Sequence, residues 1–205
     1  AEAVERRLAE AGVGEVVATV EEPIERTEVA CFHGESRVGN FVADAYRWAT
    51  DAEVGLQNSG GIRSGPALSG EVTVGDLISL IPFDEPLAVA ELTGKELREV
   101  FRQGEGSRLG FGEPDWWHAH LSGATIEYDR ASDTLASATV NGEPLDSDRT
   151  YRVALADYLL HSDDEFPAVG MDHRVGTTRT QYEVLADYAR SEGLNPTVEG
   201  RIRHV

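Results

Sequence analysis

Lysine is almost missing from this chain. Of its 18 basic residues only Lys95 is a lysine, and they face 37 aspartates and glutamates, for a formal net charge of -19. A surface this acidic repels nucleic-acid phosphates and anionic bilayers, so neither nucleic acid nor an inserted membrane is expected as a partner. Losing lysine while keeping arginine fits a protein built for concentrated salt, where self-repulsion is screened within about 3 Å. Lys95 falls in the first turn of a predicted helix, so no lysine catalysis is expected.

Cysteine is nearly absent too. The single Cys31 excludes an internal disulfide and any cysteine-rich metal site. No run approaches the roughly 18 apolar residues of a membrane span. The patterns G-x-x-x-x-G-K-[ST], H-E-x-x-H and G-x-S-x-G do not occur, which removes the phosphate-cradling loop, the zinc-protease helix and the serine nucleophile elbow. The 205 residues, 40% of them hydrophobic, make one large domain or two small ones and suffice for a sizeable core. The start, Ala1 to Arg6, is no signal peptide and reads as a chain entered partway through a helix.

What is present alternates helix and strand early and favours hairpins later, the pattern of a single α+β domain with layered sheets and helices. Residues 1–12 are charged and weakly amphipathic, which suits a connector helix. Val13 to Val20 reads as a strand, followed by an acidic passage that Pro23 breaks. This divides the chain into a connector and first strand, residues 1–29, and a domain, residues 30–205. Val38 to Thr50 has helical spacing with one apolar face, closed by Asp51. Thr73-Val74-Gly75-Asp76 and Thr93-Gly94-Lys95-Glu96 are capping boxes, each with a leucine placed for a hydrophobic staple. The first of these helices has to stop by Ile81, before Pro82. Leu87 to Leu92 is predicted as a strand, and Gly104 to Pro114 as a long surface loop. Asn141-Gly142 marks a hairpin because both central positions of that turn need positive φ. Tyr151 to Ala156 is a further strand, and Thr180 to Gly193 holds a last helix.

The candidate chemistry starts at Gln57-Asn58-Ser59-Gly60-Gly61-Ile62-Arg63, which follows a short apolar strand. Asn58 offers a side-chain amide, the glycines let a ligand approach the backbone, and Arg63 adds a planar charged fork. Taken alone, the stretch is equally a plain turn with a solvated arginine. Phe83 and Tyr158 put two aromatic rings on loops at strand ends, suited to stacking on a planar ligand such as a nucleobase. Each alone reads as a core residue. Asp163-Asp164-Glu165 reads as a solvated turn until Tyr158, six residues before Asp164, is considered with it. Together, two rings, an amide, an arginine and an acid make a nucleoside pocket. His118 and His120 would share a strand face, but no third ligand completes a metal site, and they are expected as a solvent-facing pair beside Trp116 and Trp117.

On these residues the sequence resembles the C-terminal domain of the 5'-nucleotidase family, whose relatives include UDP-sugar hydrolases and 2',3'-cyclic-nucleotide phosphodiesterases. Glu35 with Gly39-Asn40 resembles E-x-x-x-G-N, and Asn58 to Arg63 resembles N-G-G-G-I-R. Gly70 to Thr73, Pro82-Phe83 and Leu92-Thr93-Gly94 are similar to G-x-I-T, P-F-G-N and L-T-G. Ser122-Gly123 through Tyr128-Asp129 resembles S-G-x-x-x-x-Y-D, and Glu199 to Ile202 resembles the closing residues. The resemblance spans residues 30 to 203, in the family's order.

It implies a layered α/β/β/α fold in which Asn58, Gly60 and Arg63 hold a nucleoside, Phe83 and Tyr158 sandwich its base, and Asp164 meets the ribose. It implies no catalytic or metal-binding residue here. The two divalent metal ions of the family's hydrolysis belong to an N-terminal metallophosphoesterase domain marked by D-x-H, G-N-H-[DE] and G-H-x-H, patterns that this sequence lacks. It also implies an extracellular or cell-surface protein. The competing class is a stand-alone nucleotide-binding or assembly module. Three departures stand out: N-G-G-D-G is here His161-Ser162-Asp163-Asp164-Glu165, Phe83 is followed by Asp84-Glu85 rather than Gly-Asn, and Phe32 stands where an arginine is frequent.

The charge balance generates a direct test. Raising KCl from about 0.1 M towards about 3 M shortens the Debye length from about 10 Å to below about 3 Å and relieves acidic self-repulsion, so Tm is expected to climb throughout. A flat midpoint would count against salt adaptation.

Overall fold

The computed structural model describes residues 12–108 and 112–205. The connector helix expected over residues 1–12 therefore lies outside the described residues, apart from Gly12. Strand β1 (Val16–Arg26) pairs antiparallel with β3 (Gly65–Thr73) as a two-stranded ribbon. Here the structure corrects the expectation at Pro23: β1 runs through it to Arg26. The ladder shifts register between Val20 and Ile24, so the proline sits at an irregularity where its missing N–H interrupts no regular pairing.

A short helix α1 (Glu28–Phe32) leads to α2 (Arg37–Thr50), which Asp51 ends in the left-handed conformation at φ 51°. The capping boxes at Thr73 and Thr93 are fully formed and start α3 (Val74–Leu80) and α4 (Gly94–Gln103). Each threonine hydroxyl accepts the third N–H of its helix, while Asp76 or Glu96 accepts the threonine's own N–H at 2.8 Å. The last helix, α5 (Gln181–Glu192), stops at Gly193 with φ 82°.

Five strands make the central sheet: β2 (Val54–Asn58), β4 (Pro86–Thr93), β5 (Ala119–Ser122), β9 (Thr150–Ala156) and β10 (Arg174–Thr180), in the order β10-β4-β9-β2-β5. A second sheet holds β6 (Ala124–Asp129), β7 (Thr134–Val140), the two-residue β8 (Glu143–Pro144) and β11 (Ile202–His204). Asn141 and Gly142 make the β7–β8 turn with φ 51° and 83°.

Strand alternation gives the central sheet two apolar faces. Leu56, Val153 and Leu155 face a core shared with α4 and the second sheet, whereas Ala154 and Leu87 face a core built by α2, α3, α5 and the β1–β3 ribbon. The α+β class is thus observed, with a helical layer, two sheets, and α4 packed on both β4 and β7.

Two sequence expectations fail in the same region. His118 and His120 are buried, at 1% and 0% exposure, beside a fully buried Trp117. Entry into β5 draws all three into the interior. Burial pushes both imidazoles down to about 4, so His120 is neutral, and its Nε2–H donates to the Cys31 carbonyl at 2.9 Å. The start of the predicted 104–114 surface loop is also pinned inward. Glu105 is buried, bridges to Trp117 through the backbone, and pairs with Arg130 at 3.2 Å.

One carboxylate gathers several contacts of the C-terminal segment, which Arg201 also ties to Asp44. Glu35 accepts from Asn40 Nδ2 and from the backbone N–H groups of Glu199 and Arg201, each at 2.7 Å. Burial alone would raise its pKa, but these donors outweigh that and hold it below the ordinary glutamate value. Gly39, one turn along α2, is set by packing: a Cβ there would stand 2.0 Å from His120 Nδ1.

Gly39→Ala is therefore expected to destabilise the fold by about 1–3 kcal/mol, since the buried ring has nowhere to go. Gly176→Ala in β10, where a Cβ meets nothing within 4 Å, is expected to be close to neutral. Equal urea midpoints for the two variants would contradict this packing.

Candidate functional site

Sheet directions put the site together. β2, β9 and β10 run one way and β4 and β5 the other, as the pairings β9–β2 parallel and β4–β9, β10–β4 and β2–β5 antiparallel require. The carboxyl ends of three strands and the amino ends of two therefore share one edge, where Thr180 pairs with Pro86, Leu87 with Ala156 and Asn58 with Ala119. Loops leaving such an edge are where recognition residues concentrate.

A cavity of about 460 Å³ lies there. Asn58, Gly60, Gly61 and Arg63 line it from the loop after β2, Ala156 and Tyr158 from the end of β9, Phe83 and Glu85 from the approach to β4. Glu165 and Gln181 complete the wall. Of the six residues singled out in the sequence, Asn58, Gly60, Arg63, Phe83 and Tyr158 are brought together. Asp164 is not among the lining residues: its side chain is exposed and the next residue, Glu165, takes the wall.

The switch from Asp164 to Glu165 has a local cause. Ser162 Oγ accepts the N–H groups of both Asp164 and Glu165, at 3.3 and 3.0 Å, tightening the turn. Phe166 then takes a left-handed φ of 50° with its ring buried in the core, a conformation rare for an aromatic. Together they turn Glu165 inward, and its Oε2 accepts from Asn58 Nδ2 at 2.8 Å.

The Asn58 amide is fixed from both ends. Gln57 Nε2 donates to its Oδ1 at 2.9 Å, and its Nδ2 serves Glu165. What this pair presents to a ligand is the rest of a carboxylate and one amide hydrogen. Gly61 guards the arrangement, because a Cβ there would lie 2.2 Å from Gln57 Nε2 and 2.7 Å from Asn58 Oδ1. Arg63 is anchored by its backbone N–H to the Leu80 carbonyl at 2.9 Å and leaves its guanidinium exposed. Ser59 turns away, donating to the Trp117 carbonyl at 2.8 Å.

On the opposite side, Pro82 and Pro86 bracket Phe83-Asp84-Glu85 in an extended segment. Side chains two apart in such a segment share a face, so Phe83 and Glu85 line the cavity while Asp84 does not. Tyr46 Oη donates to Gln181 Oε1 at 2.5 Å, and the Gln181 N–H donates to the Glu85 carbonyl at 3.2 Å. Sequence reasoning missed Glu85, Glu165 and Gln181. The two-residue alternation from Phe83 could have found the first; the other two carry no local signal.

A second depression, about 500 Å³, lies beside Asp44, Trp48, Asp51, Tyr188 and Glu192. It is the larger and also carries two rings and both charge signs, through Arg47 and three acids, but it is more open and has no side-chain amide among its described lining residues, whereas the strand-end cavity adds Asn58 and Gln181 to its rings and charges. We take the strand-end cavity as the site. Among the described residues no group of three or more His, Cys, Asp or Glu side chains could hold a metal ion.

Burial pushes the Glu165 carboxyl up, and neighbouring Asp164 adds to this, against the lowering effect of the Asn58 hydrogen bond. A raised acid pKa means that stability present at low pH is lost as pH rises through the folded value. Glu165→Gln, which keeps an acceptor for Asn58, is expected to raise Tm at pH 7 and to lose that advantage at about pH 4, where free glutamate protonates. A lower Tm for the variant at pH 7 would contradict it.

The family model for "5'-nucleotidase, C-terminal domain" matches residues 16–171. An apyrase of Tabanus yao is 32% identical over 200 residues, covering 84% of this chain and 35% of the apyrase. The trifunctional nucleotide phosphoesterase protein YfkN of Bacillus subtilis is 30% identical over 188 residues, covering 83% of this chain and 12% of that protein. The crystal structure of a 5'-nucleotidase precursor from Thermus thermophilus superposes with a TM-score of 0.83 at 25% identity, over 100% of this chain and 42% of that one. The chain thus spans about a third of the apyrase and less of YfkN. With most of its length matched and the fold in place, the chain belongs to the 5'-nucleotidase C-terminal domain family.

Proposed function

We propose that this chain is the nucleoside- and nucleotide-recognition domain of a two-domain, metal-dependent phosphoester hydrolase of the 5'-nucleotidase type. The observation that carries the reading is the single cavity on which Asn58, Arg63, Phe83, Tyr158 and Glu165 converge. Its volume suits a small ligand. Phe83 and Tyr158 are 36% and 41% exposed, an arrangement without a packing benefit unless a ligand covers the rings.

In this reading the two rings stack on the base. Glu165, steadied by Asn58, accepts from the ribose hydroxyls in the role first given to Asp164, and the exposed guanidinium of Arg63 meets the anionic end of a nucleotide. The chain binds and orients; the metal ions and hydrolysis belong to an N-terminal metallophosphoesterase domain. The fraction of the relatives' length that this chain covers supports such a division. We place the protein outside the cell or at its surface, as the family resemblance implies. Among the described residues no helix is long and apolar enough to cross a membrane.

With half of the ligand's surroundings elsewhere, nucleosides are expected to bind this chain at about millimolar Kd, or about 4 kcal/mol. Phe83→Ala is expected to lose about 1–3 kcal/mol of that in a calorimetric or NMR titration, for every base alike, because stacking is tolerant of base identity. Undiminished affinity in Phe83→Ala would rule out the ring as a stacking surface.

A further inference from the structure

Building on that reading of the cavity, we infer that Glu85 and Gln181 form a base-edge reader that selects guanine. Strand order sets out the geometry. Across the shared edge the lining runs from Gln181 after β10, through Phe83 and Glu85 before β4 and Tyr158 after β9, to Asn58 and Arg63 after β2. Three inter-strand spacings, about 14 Å, separate the ends of this row. The strand order therefore sets the two carboxylates of the cavity apart: Glu165 is bonded to Asn58 beyond the end of β2, and Glu85 stands before β4 with its carbonyl accepting from the Gln181 N–H on the β10 side. A nucleoside whose sugar lies at the Glu165 end has its base edge at the Glu85 end.

The chemistry of that end is specific. Glu85 offers two acceptor oxygens and no donor. Gln181 is 2% exposed and its Oε1 already accepts from Tyr46 Oη, so what it has left for a ligand is the Nε2 donor. Acceptor, acceptor, donor is the complement of guanine, which presents N1–H and N2–H₂ beside the O6 acceptor. Adenine sets its N1 lone pair against the carboxylate. Uracil offers one N–H between two carbonyls. Hypoxanthine keeps N1–H and O6 but lacks the second donor, which places inosine in between. An acceptor pair left facing the wrong edge discriminates more strongly than a change in apolar contact.

The test is a titration of this chain and of Glu85→Gln with guanosine, inosine, adenosine and uridine. Glu85 lies in an extended surface segment, so its conservative variant leaves the core intact. The native chain is expected to bind guanosine about tenfold or more tighter than adenosine, with inosine between. Glu85→Gln should bring guanosine to within about threefold of adenosine. Native affinities that are alike for all four nucleosides would overturn the edge reader and leave the cavity assignment standing. A variant that weakens all four equally would make Glu85 a structural residue and overturn it too. No binding of any nucleoside would overturn the proposed function, and this inference with it.

Discussion

The site depends on the hydrogen-bond register of the central sheet. β4 runs antiparallel to both its neighbours, β9 and β10, and β9 runs parallel to β2. Only with these directions do residues from positions 58, 83, 158 and 181 reach one edge. A one-residue slip in β4 would exchange the faces of its alternating side chains and dissolve the apolar packing on both sides of the sheet. The two cores therefore enforce the geometry of the cavity without contributing side chains to its chemistry, apart from Ala156 at its floor.

Inside that frame the polar groups are held in relays. Gln57 fixes Asn58 and Asn58 fixes Glu165, while Tyr46 fixes Gln181. Such chains remove rotamer freedom before a ligand arrives, which lowers the entropic cost of binding. They also keep a carboxylate where burial disfavours its charge, as the upward shift of Glu165 shows. The direction of that shift means that ionised Glu165 costs the fold stability at neutral pH.

What was legible in the sequence was local or strongly typed. The capping boxes at Thr73 and Thr93 and the Asn141-Gly142 turn are each decided within four residues, and the structure forms all three. Asn58, Arg63, Phe83 and Tyr158 stood out as chemistry-bearing types at strand ends, and the fold gathers them on one cavity. The misses are of another kind. Whether Asp164 or Glu165 faces inward turns on a Ser162 hydrogen bond and a left-handed Phe166, neither of which composition reveals. His118 and His120 looked like surface residues because their burial depends on β5 pairing with a strand more than 60 positions earlier. Pro23 looked like a break because the irregular register that tolerates it belongs to the partner strand as much as to β1. Gln181 is the first residue of a helix, and only the sheet topology makes it a wall.

The central claim is that the strand-end cavity, rather than the larger acidic depression by Trp48, receives a nucleoside. Amide chemical-shift mapping of the isotopically labelled chain during a guanosine titration tests this most directly. Saturable shifts are expected at residues 58–63, 83–85, 156–165 and 181, with the backbone around Trp48 and Tyr188 unmoved. Saturable shifts centred on Trp48 and Tyr188, or a spectrum indifferent to the nucleoside, would contradict the account.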